Sequence, residues 1–161
     1  MSEETAAIEI RPMTRERLSE LLIMRWPGQS MFRCGRFLTP EDVEGVGAFA
    51  EDRLHGMATW MMSGRIMHVI AVNAFTELRG VGVALVDAMV EHARGAQVAL
   101  LRATVSNDNV LALRFYQKRG FRVTGLNRGI FDAMRQAKPS IPLVGFDGIP
   151  MHDEFELELS L

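Results

Sequence analysis

The stretch "LRGVGVA", Leu78 to Ala84, decides how the chain is organised. It follows the apolar run "MHVIAV" and precedes a segment whose apolar residues recur with helical spacing. Glycine or alanine stands at every second position from Gly80, so few side chains cover the backbone where the helix begins. The order strand, glycine loop, helix follows from this pattern.

A helix start of this kind favours binding of an anion. The first turn of a helix has unpaired N–H groups and a partial positive charge. The first carboxylate after the loop is Asp87, and Arg79 stands just ahead of the helix. The same glycines also fit a tight turn with close packing of helix on sheet, and that alternative stays open.

Two common phosphate motifs do not match. The dinucleotide fingerprint needs a third glycine where Leu85 stands, and the Gly-Lys-Ser/Thr triplet of a nucleotide P-loop does not occur in the chain. The pattern therefore predicts a phosphate-bearing ligand held mainly by backbone groups. Gly80, Gly82 and Ala84 leave that backbone uncovered, and Arg79 stands beside it.

Composition limits the class of protein. The 161 residues, 48% of them apolar, are enough for one core, so we expect one domain over residues 1–161. A net charge of -2 with mixed signs gives no support to nucleic-acid or membrane binding. The single cysteine, Cys34, cannot form an internal disulfide, and "MSEETAAIEI" lacks the pattern of a secretory signal. We expect a cytoplasmic protein with a small partner.

The order of elements predicts an α/β fold, of the α+β mixed-sheet kind. Strand candidates "VGAFAE", "LHGMATWMM" and "RIMHVIAV" are separated by connections short enough for antiparallel hairpins. The apolar run "QVALLRATV" after the glycine-loop helix is typical of a buried strand entered by a crossover. We therefore expect a central sheet of about seven strands, with one parallel pair and helices on both faces.

The N-terminal third and the tail are less regular. A first helix is predicted in "PMTRERLSELLIM", with Leu18, Leu21 and Leu22 on one face. The segment "RWPGQSMFRCGRFLTPEDVEG" is predicted to be a loop with a short helix opened by Thr39. In the tail, "RGIFDAMRQAK" is a helix candidate and "DEFELELSL" a strand candidate.

A second constellation lies in "NDNVLALRFYQKRGF". Asn109, Ala112 and Tyr116 are spaced by three and four residues and share one face of the predicted helix. Leu111 and Phe115 lie on another face and are expected in the core. Tyr116 is the only tyrosine of the chain, and its alternative role is that of a core residue.

Together the two motifs resemble the cofactor motifs of the GNAT superfamily of N-acetyltransferases. The first is "RGVGVA" after a strand that ends in "IAV", and the second is "NVLALRFYQKRGF". The resemblance covers Arg65 to Phe121. It implies a GNAT-like domain whose strand before the glycine loop splays from its parallel neighbour, so that the pantetheine arm of acetyl-CoA enters between them.

The resemblance also implies roles for individual residues. The backbone of Ile70, Ala71 and Val72 would pair with the pantetheine arm, and the loop from Arg79 to Ala84 would hold the pyrophosphate. Asn109 and Ala112 match the pantetheine motif, and Tyr116 matches the residue near the thioester sulfur. A phenol is protonated at neutral pH and can act as general acid to the thiolate.

The base that would deprotonate the acceptor amine is left open. "MHVIAV" is similar to the corresponding strand of arylalkylamine N-acetyltransferases, where histidines relay protons, which makes His68 a candidate. Its alternative is a core histidine, and Glu51 or a water chain are the other candidate bases. Cys34 as an acyl-carrying nucleophile is not favoured.

The resemblance places the acceptor pocket in residues 26–37 and 126–150. Side chains that could line it are Trp26, Phe32 and Phe131, with Asp132 or Asp147 for a cationic amine. A metal site at the neighbouring residues His152, Asp153 and Glu154 is rejected, because alternate strand residues face opposite sides.

Three functions are weighed. The first is an acetyl-CoA-dependent N-acetyltransferase for a small amine or a peptide. The second is a non-catalytic acyl-CoA-binding sensor or interaction module, and the third a nucleotide-binding domain of another family. An exposed last strand can pair across subunits in this fold class, so a homodimer is a further expectation.

Overall fold

The computed structural model describes residues 7–25, 31–33 and 36–161, with Phe32 described by its backbone alone. Contacts divide the chain into two compact units, residues 1–99 and 100–161. One domain over the whole chain stays a prediction.

In chain order the elements are β1 (Glu9–Pro12), α1 (Arg15–Arg25), β2 (Met31–Arg33), β3 (Arg36–Leu38), β4 (Glu44–Ala50), β5 (Arg53–Ser63), β6 (Ile66–Ala74), α2 (Val81–Gly95), β7 (Leu100–Ser106), α3 (Val110–Lys118), β8 (Arg122–Asn127), α4 (Ile130–Ala137) and β9 (Glu154–Ser160).

The predicted fold class is confirmed. Over the described residues the chain is a mixed α/β fold with four helices and a main sheet of seven strands, one pair of them parallel. None of the helices in that part of the chain is long and apolar enough to cross a membrane.

In the first unit, β1, β4, β5 and β6 pair in that order, each antiparallel to the next. The two predicted hairpins, β4–β5 and β5–β6, are confirmed. The boundaries of β4, β5 and β6 differ by one or two residues from the sequence candidates, since apolar patterning marks the middle of a strand better than its ends.

The two helices of this unit cover opposite faces of its strands. A side chain at Gly45 would meet Leu18 of α1, whereas one at Gly56 would meet Val81 and Leu85 of α2. Gly45 lies opposite Thr59, and positions 56 and 59 of β5 alternate to opposite sides. The predicted α1 face is confirmed, since its three leucines are 0 to 8% exposed.

The segment between α1 and β4 differs from the predicted loop. Met31–Arg33 and Arg36–Leu38 pair as a short antiparallel hairpin, with Phe32 opposite Phe37. The prediction of a loop was wrong there. The glycine and proline residues of the segment indicated a loop, and strands of three residues are too short to show an alternating pattern. The predicted short helix is confirmed as a 3₁₀ turn, Pro40–Asp42, capped by Thr39.

In the second unit, β9 pairs with both β7 and β8, and both pairs are antiparallel. The expectation of an exposed last strand was therefore wrong: β9 has neighbours on both edges and cannot recruit a second subunit through its backbone. The predicted tail helix and last strand are confirmed as α4 and β9.

Candidate active site

The glycine loop places an uncovered helix start after β6. Gly80 is the N-cap of α2 in the left-handed conformation, at φ 87°, which glycine adopts at little cost. The first helical hydrogen bond runs from the Ala84 N–H to the Gly80 carbonyl at 2.9 Å. The first turn holds no acidic residue. Its N–H groups therefore present positive charge with neither a capping side chain nor a carboxylate to neutralise it.

The loop that leads to Gly80 is anchored to β5. The His55 carbonyl accepts from the Phe75 N–H at 2.8 Å, and the His55 Nδ1 lies 2.8 Å from the Thr76 hydroxyl. That hydroxyl also accepts from the Leu78 N–H at 3.4 Å. The sequence reasoning did not find His55 or Thr76. Their only sequence signals are a polar residue in an apolar strand and a threonine shortly after a strand.

A second glycine seats α2 on the sheet. A Cβ at Gly56 would lie 2.6 Å from the Asn73 carbonyl oxygen and 2.6 Å from Val81 Cγ1. Val81 is the first residue of α2 and is 1% exposed. The helix start thus contacts the strand where glycine leaves room for it. The predicted contact residue Val81 is therefore a core side chain, and only its backbone can face a ligand.

β6 carries a bulge within the predicted pantetheine-binding stretch. Thr59 of β5 lies opposite Ala71, but the next residue, Trp60, lies opposite Val69, so Ile70 has no opposite residue in β5. A bulge leaves one residue out of the regular ladder and turns the strand locally. Ile70 is 4% exposed, whereas Ala71 and Val72 are half-buried.

The candidate base His68 is half-buried on β6, opposite Met61. Met61 packs against the apolar cluster that includes Leu21 and Leu22 of α1. His68 therefore lies on the α1 side of the strand, beside apolar residues. The other candidate, Glu51, is exposed in the β4–β5 turn at φ 49° and does not end a strand.

In the second unit, α3 carries the other motif. Asn109 is its N-cap, and its Oδ1 accepts from the Ala112 N–H at 3.1 Å. Within the described ranges nothing accepts a hydrogen bond from the Asn109 Nδ2. The side chain therefore fixes the helix start with its oxygen and keeps an amide donor for a ligand.

Tyr116 is 7% exposed in a cluster of aromatic rings. Its ring makes edge contacts with Phe115 at 5.5 Å and with Phe121 at 5.1 Å between centroids. The expectation that Leu111 serves the core was wrong, since its side chain is 74% exposed. With apolar residues all round α3, periodicity alone could not identify the buried face.

Only some of the predicted acceptor residues lie within the described part of the chain. Trp26 and Cys34 lie outside the described residues, as does the side chain of Phe32. Phe131 is 6% exposed and belongs to the core, while Asp147 is exposed in a 3₁₀ turn at φ 55°.

The segment between α4 and β9, residues 138–153, is fixed to the loop before α3; we call it the connector. The Asn107 Nδ2 donates to the Pro150 carbonyl at 2.9 Å. Asp108, 1% exposed, accepts from the Phe146 N–H at 2.9 Å through Oδ2. These two residues directly precede Asn109, so the residues that hold the connector are continuous in sequence with the start of α3. Sequence reasoning assigned no role to either.

The comparisons with known proteins agree with this architecture. The pattern of the acetyltransferase (GNAT) family matches residues 9–121, which include the glycine loop and α3. The chain belongs to this family. The resemblance stated from the two motifs is thereby confirmed, and the protein is a GNAT acetyltransferase by family.

Individual similar proteins extend the likeness over most of this chain. Bacillus subtilis (strain 168) YxbD, an uncharacterized protein, is 28% identical over 144 residues, which are 89% of this chain and 91% of YxbD. The IAA acetyltransferase from Bacillus cereus ATCC 14579 has a TM-score of 0.77 at 19% identity, over 96% of this chain and 100% of that one. A GNAT family acetyltransferase from Elizabethkingia anophelis, with acetyl-CoA bound, has a TM-score of 0.70 at 18% identity. The match covers 99% of this chain and 100% of that one. At these identities the solved structures establish the fold.

Proposed function

We propose that this protein is an acetyl-CoA-dependent N-acetyltransferase that moves an acetyl group directly to an amine of a small molecule or peptide. The observation that carries the proposal is the start of α2, where Gly80 caps the helix and the first turn holds no carboxylate. In a member of this family, that uncovered backbone fits a pyrophosphate. The acetyl-CoA held by the Elizabethkingia anophelis relative supports the same ligand.

The residues present fit acetyl-CoA. Arg79 and the backbone from Gly80 to Ala84 would hold the pyrophosphate, with Gly82 and Val83 inside that run. The backbone of Ile70 to Val72 would pair with the pantetheine arm. The Asn109 Nδ2 is a suitable donor for a pantetheine carbonyl, and the small side chain of Ala112 leaves space on the same helix face.

The reaction we propose needs no protein nucleophile. Acetyl-CoA supplies an acyl group activated as a thioester. The backbone N–H near Val72 would polarise the acetyl carbonyl, because a donor aimed at the developing oxyanion stabilises it most in the transition state. Tyr116 would give its proton to the leaving thiolate. His68 is the base that the resemblance favours, with Glu51 or a water chain as alternatives.

The rigid setting of Tyr116 suits a general acid. Its ring is held between Phe115 and Phe121, which limits its rotamers and keeps the hydroxyl in one place. A phenylalanine at this position keeps the ring contacts and removes only the hydroxyl.

The first experiment is a calorimetric titration with acetyl-CoA, with NAD and ATP as controls. We expect selective binding of acetyl-CoA. Amine-dependent thiol release is then measured for wild type and Tyr116→Phe. We expect the variant to lose about a hundredfold or more in turnover, the usual range of general acid catalysis, while its affinity for acetyl-CoA stays within about twofold.

Two results would exclude the enzyme. Binding of ATP as tight as that of acetyl-CoA would favour a nucleotide-binding domain instead. Selective acetyl-CoA binding without thiol release for any amine would favour the alternative, a non-catalytic acyl-CoA-binding module. A melting curve for Tyr116→Phe that matches wild type rules out loss of folding as the cause of low turnover.

We further infer a cytoplasmic location from the single cysteine, since disulfide-built folds of oxidising compartments need several. A homodimer also stays a proposal, and it would need a surface other than β9. Sedimentation at several concentrations measures it directly.

A further inference from the structure

His152 and Asp132 form a paired imidazole and carboxylate. The His152 Nδ1 lies 2.9 Å from both Asp132 oxygens. The two residues are 20 positions apart in sequence, Asp132 on α4 and His152 at the end of the connector. With Nδ1 on the carboxylate, Nε2 is the nitrogen left to take a proton from another molecule.

Further hydrogen bonds hold both members of the pair in place. The Arg135 guanidinium donates to Asp132 Oδ1 at 2.8 Å, and it also donates to the Met151 carbonyl next to His152. The His152 N–H donates to Asn107 Oδ1 at 2.9 Å, and its carbonyl accepts from the Phe131 N–H at 3.0 Å. A base held in this way loses little entropy on meeting its substrate.

The front of the pair is open. The side chains of His152 and Asp132 are 52% and 50% exposed. Across the described part of the chain, His152 Nε2 has no hydrogen-bond partner. A substrate nitrogen can therefore approach Nε2 while Nδ1 stays on the carboxylate.

The pair lies beside the predicted cofactor motif. Asn107, which binds the His152 N–H, is two residues before Asn109, the N-cap of α3. The connector overlaps residues 126–150, where the resemblance places the acceptor, and His152 lies two residues beyond that range. One hydrogen bond therefore joins the backbone of the proposed base to the loop that precedes α3.

Charged groups from two elements surround the His152 imidazole. Asp132 and Arg135 face it from α4, and the neighbouring Asp153 is engaged by the Gly129 N–H. The hydrogen bond from His152 holds the pKa of Asp132 below its usual value, with the Arg135 charge acting in the same direction. Asp132 thus stays ionised, so its carboxylate can accept the hydrogen bond that orients the His152 imidazole.

Resting on the proposed acetyltransferase function, we propose that His152, oriented by Asp132, is the general base that deprotonates the acceptor amine. As the nitrogen lone pair forms the N–C bond to the acetyl carbon, the C–S bond breaks and its electrons leave on the thiolate. The amine proton passes to His152 Nε2, and the thiolate takes a proton from Tyr116.

This assignment replaces His68 as the base. His68 is half-buried on the strand face that carries the apolar α1 cluster, whereas the His152 side chain is 52% exposed and its Nδ1 is already oriented by a carboxylate. Glu51 lies exposed in a hairpin turn.

The test is the pH dependence of kcat/KM for the amine, followed by thiol release. The variants are His152→Gln, Asp132→Asn and His68→Gln, with His92→Gln as the matched control. His92 is an exposed histidine near the end of α2, and its ring centroid lies 4.9 Å from that of Trp60 at an interplanar angle of 45°. We expect His152→Gln to lose about a hundredfold or more in turnover and to lose the acidic limb of the profile. Asp132→Asn should shift that limb to lower pH, because the imidazolium loses its counter-charge.

A second readout separates a catalytic from a structural role. The chain has four histidines, so each ring can be assigned by loss of one NMR signal in its glutamine variant. The His152 titration should coincide with the kinetic limb in wild type, and both should move together in Asp132→Asn. Acetyl-CoA affinity and melting temperature should stay at the wild-type values in His152→Gln.

The experiments distinguish failure of the proposed function from failure of the His152 assignment. Wild-type protein that neither binds acetyl-CoA nor releases thiol refutes the proposed function and this inference with it. Wild-type turnover and an unchanged limb in His152→Gln refute the inference alone. Loss of the limb in His68→Gln, with His152→Gln unaffected, overturns it in favour of the strand histidine.

Discussion

Replacing Gly56 by alanine tests whether the close contact of β5 and α2 shapes the proposed acetyl-CoA site. The new Cβ would lie 2.6 Å from the Asn73 carbonyl oxygen and 2.6 Å from Val81 Cγ1. Real Cβ atoms do not approach heavy atoms so closely, so something must move. Asn73 belongs to the β5–β6 ladder and is held by it, whereas Val81 is the first residue of α2. We therefore expect the start of α2 to be displaced.

The stability cost can be estimated from two opposing effects. Overpacking of a buried site costs about 1–3 kcal/mol, and a contact with backbone on one side favours the upper end. Alanine in place of glycine within a strand returns about 0.5–1 kcal/mol, since Gly56 has no positive φ that alanine would have to adopt. The net loss is about 2 kcal/mol, or roughly 4–8 °C in Tm for a chain of this length.

The same displacement should weaken acetyl-CoA binding. The interaction of an anion with a helix N-terminus is worth about 0.3–1 kcal/mol. Its loss corresponds to roughly two- to fivefold weaker binding, which calorimetry resolves. The matched control is Gly95→Ala at the far end of α2, where no heavy atom lies within 4 Å of the added Cβ. We expect that control to melt at or slightly above the wild-type temperature and to bind acetyl-CoA as wild type does.

A double-mutant cycle isolates the cause. Val81→Ala removes the Cγ1 atom that the new Cβ would meet, so Gly56→Ala should cost less in that background by about 1 kcal/mol, as expected for directly contacting residues. If the two substitutions are additive and Gly56→Ala melts at the wild-type temperature, the close contact does not position α2.

Two further predictions concern other close contacts. Gly145→Ala should destabilise the protein by about 1–3 kcal/mol, because the new Cβ would overlap the buried Asp108 carboxylate; thermal melting should show a smaller loss in an Asp108→Ala background, and an equal loss there would contradict the reasoning. Asp42→Ala should cost about 1 kcal/mol near neutral pH, since hydrogen bonds from the Thr39 backbone, with help from the Arg36 charge, lower the pKa of Asp42. A folded-state pKa below the unfolded one contributes stability above the unfolded pKa, so urea titrations should show the difference closing as the pH falls below about 4.

The two motifs that identify the family could be read from the sequence because their information is local. Gly80, Gly82 and Ala84 are neighbours in the chain, and the conformation they permit is a property of their own backbone. The Asn109–Ala112 hydrogen bond likewise spans a single helical turn. Such features can be recognised in a linear pattern, and both lie within residues 9–121, which the family pattern matches.

The acceptor side could not be predicted in the same way. His152 and Asp132 meet only because α4 and the connector fold back on each other, and taken alone each is an ordinary polar residue. The sequence reasoning considered both, one as a metal ligand to be rejected and the other as an amine-binding carboxylate, but never as a pair. The bulge at Ile70 was also missed, since it depends on the register of β6 against β5.

The run from Asn107 to Asn109 indicates why the two sides cannot vary independently. Asn107 binds the connector at Pro150 and His152, Asp108 binds it through the Phe146 N–H, and Asn109 begins the helix that carries Tyr116. Three consecutive side chains thus connect the proposed base, the acceptor segment and the proposed acid. A substitution that reshapes the connector for another amine but breaks these hydrogen bonds would also move the start of α3. Changes of acceptor are therefore expected at exposed connector positions such as Leu143, 70% exposed, rather than at the anchors.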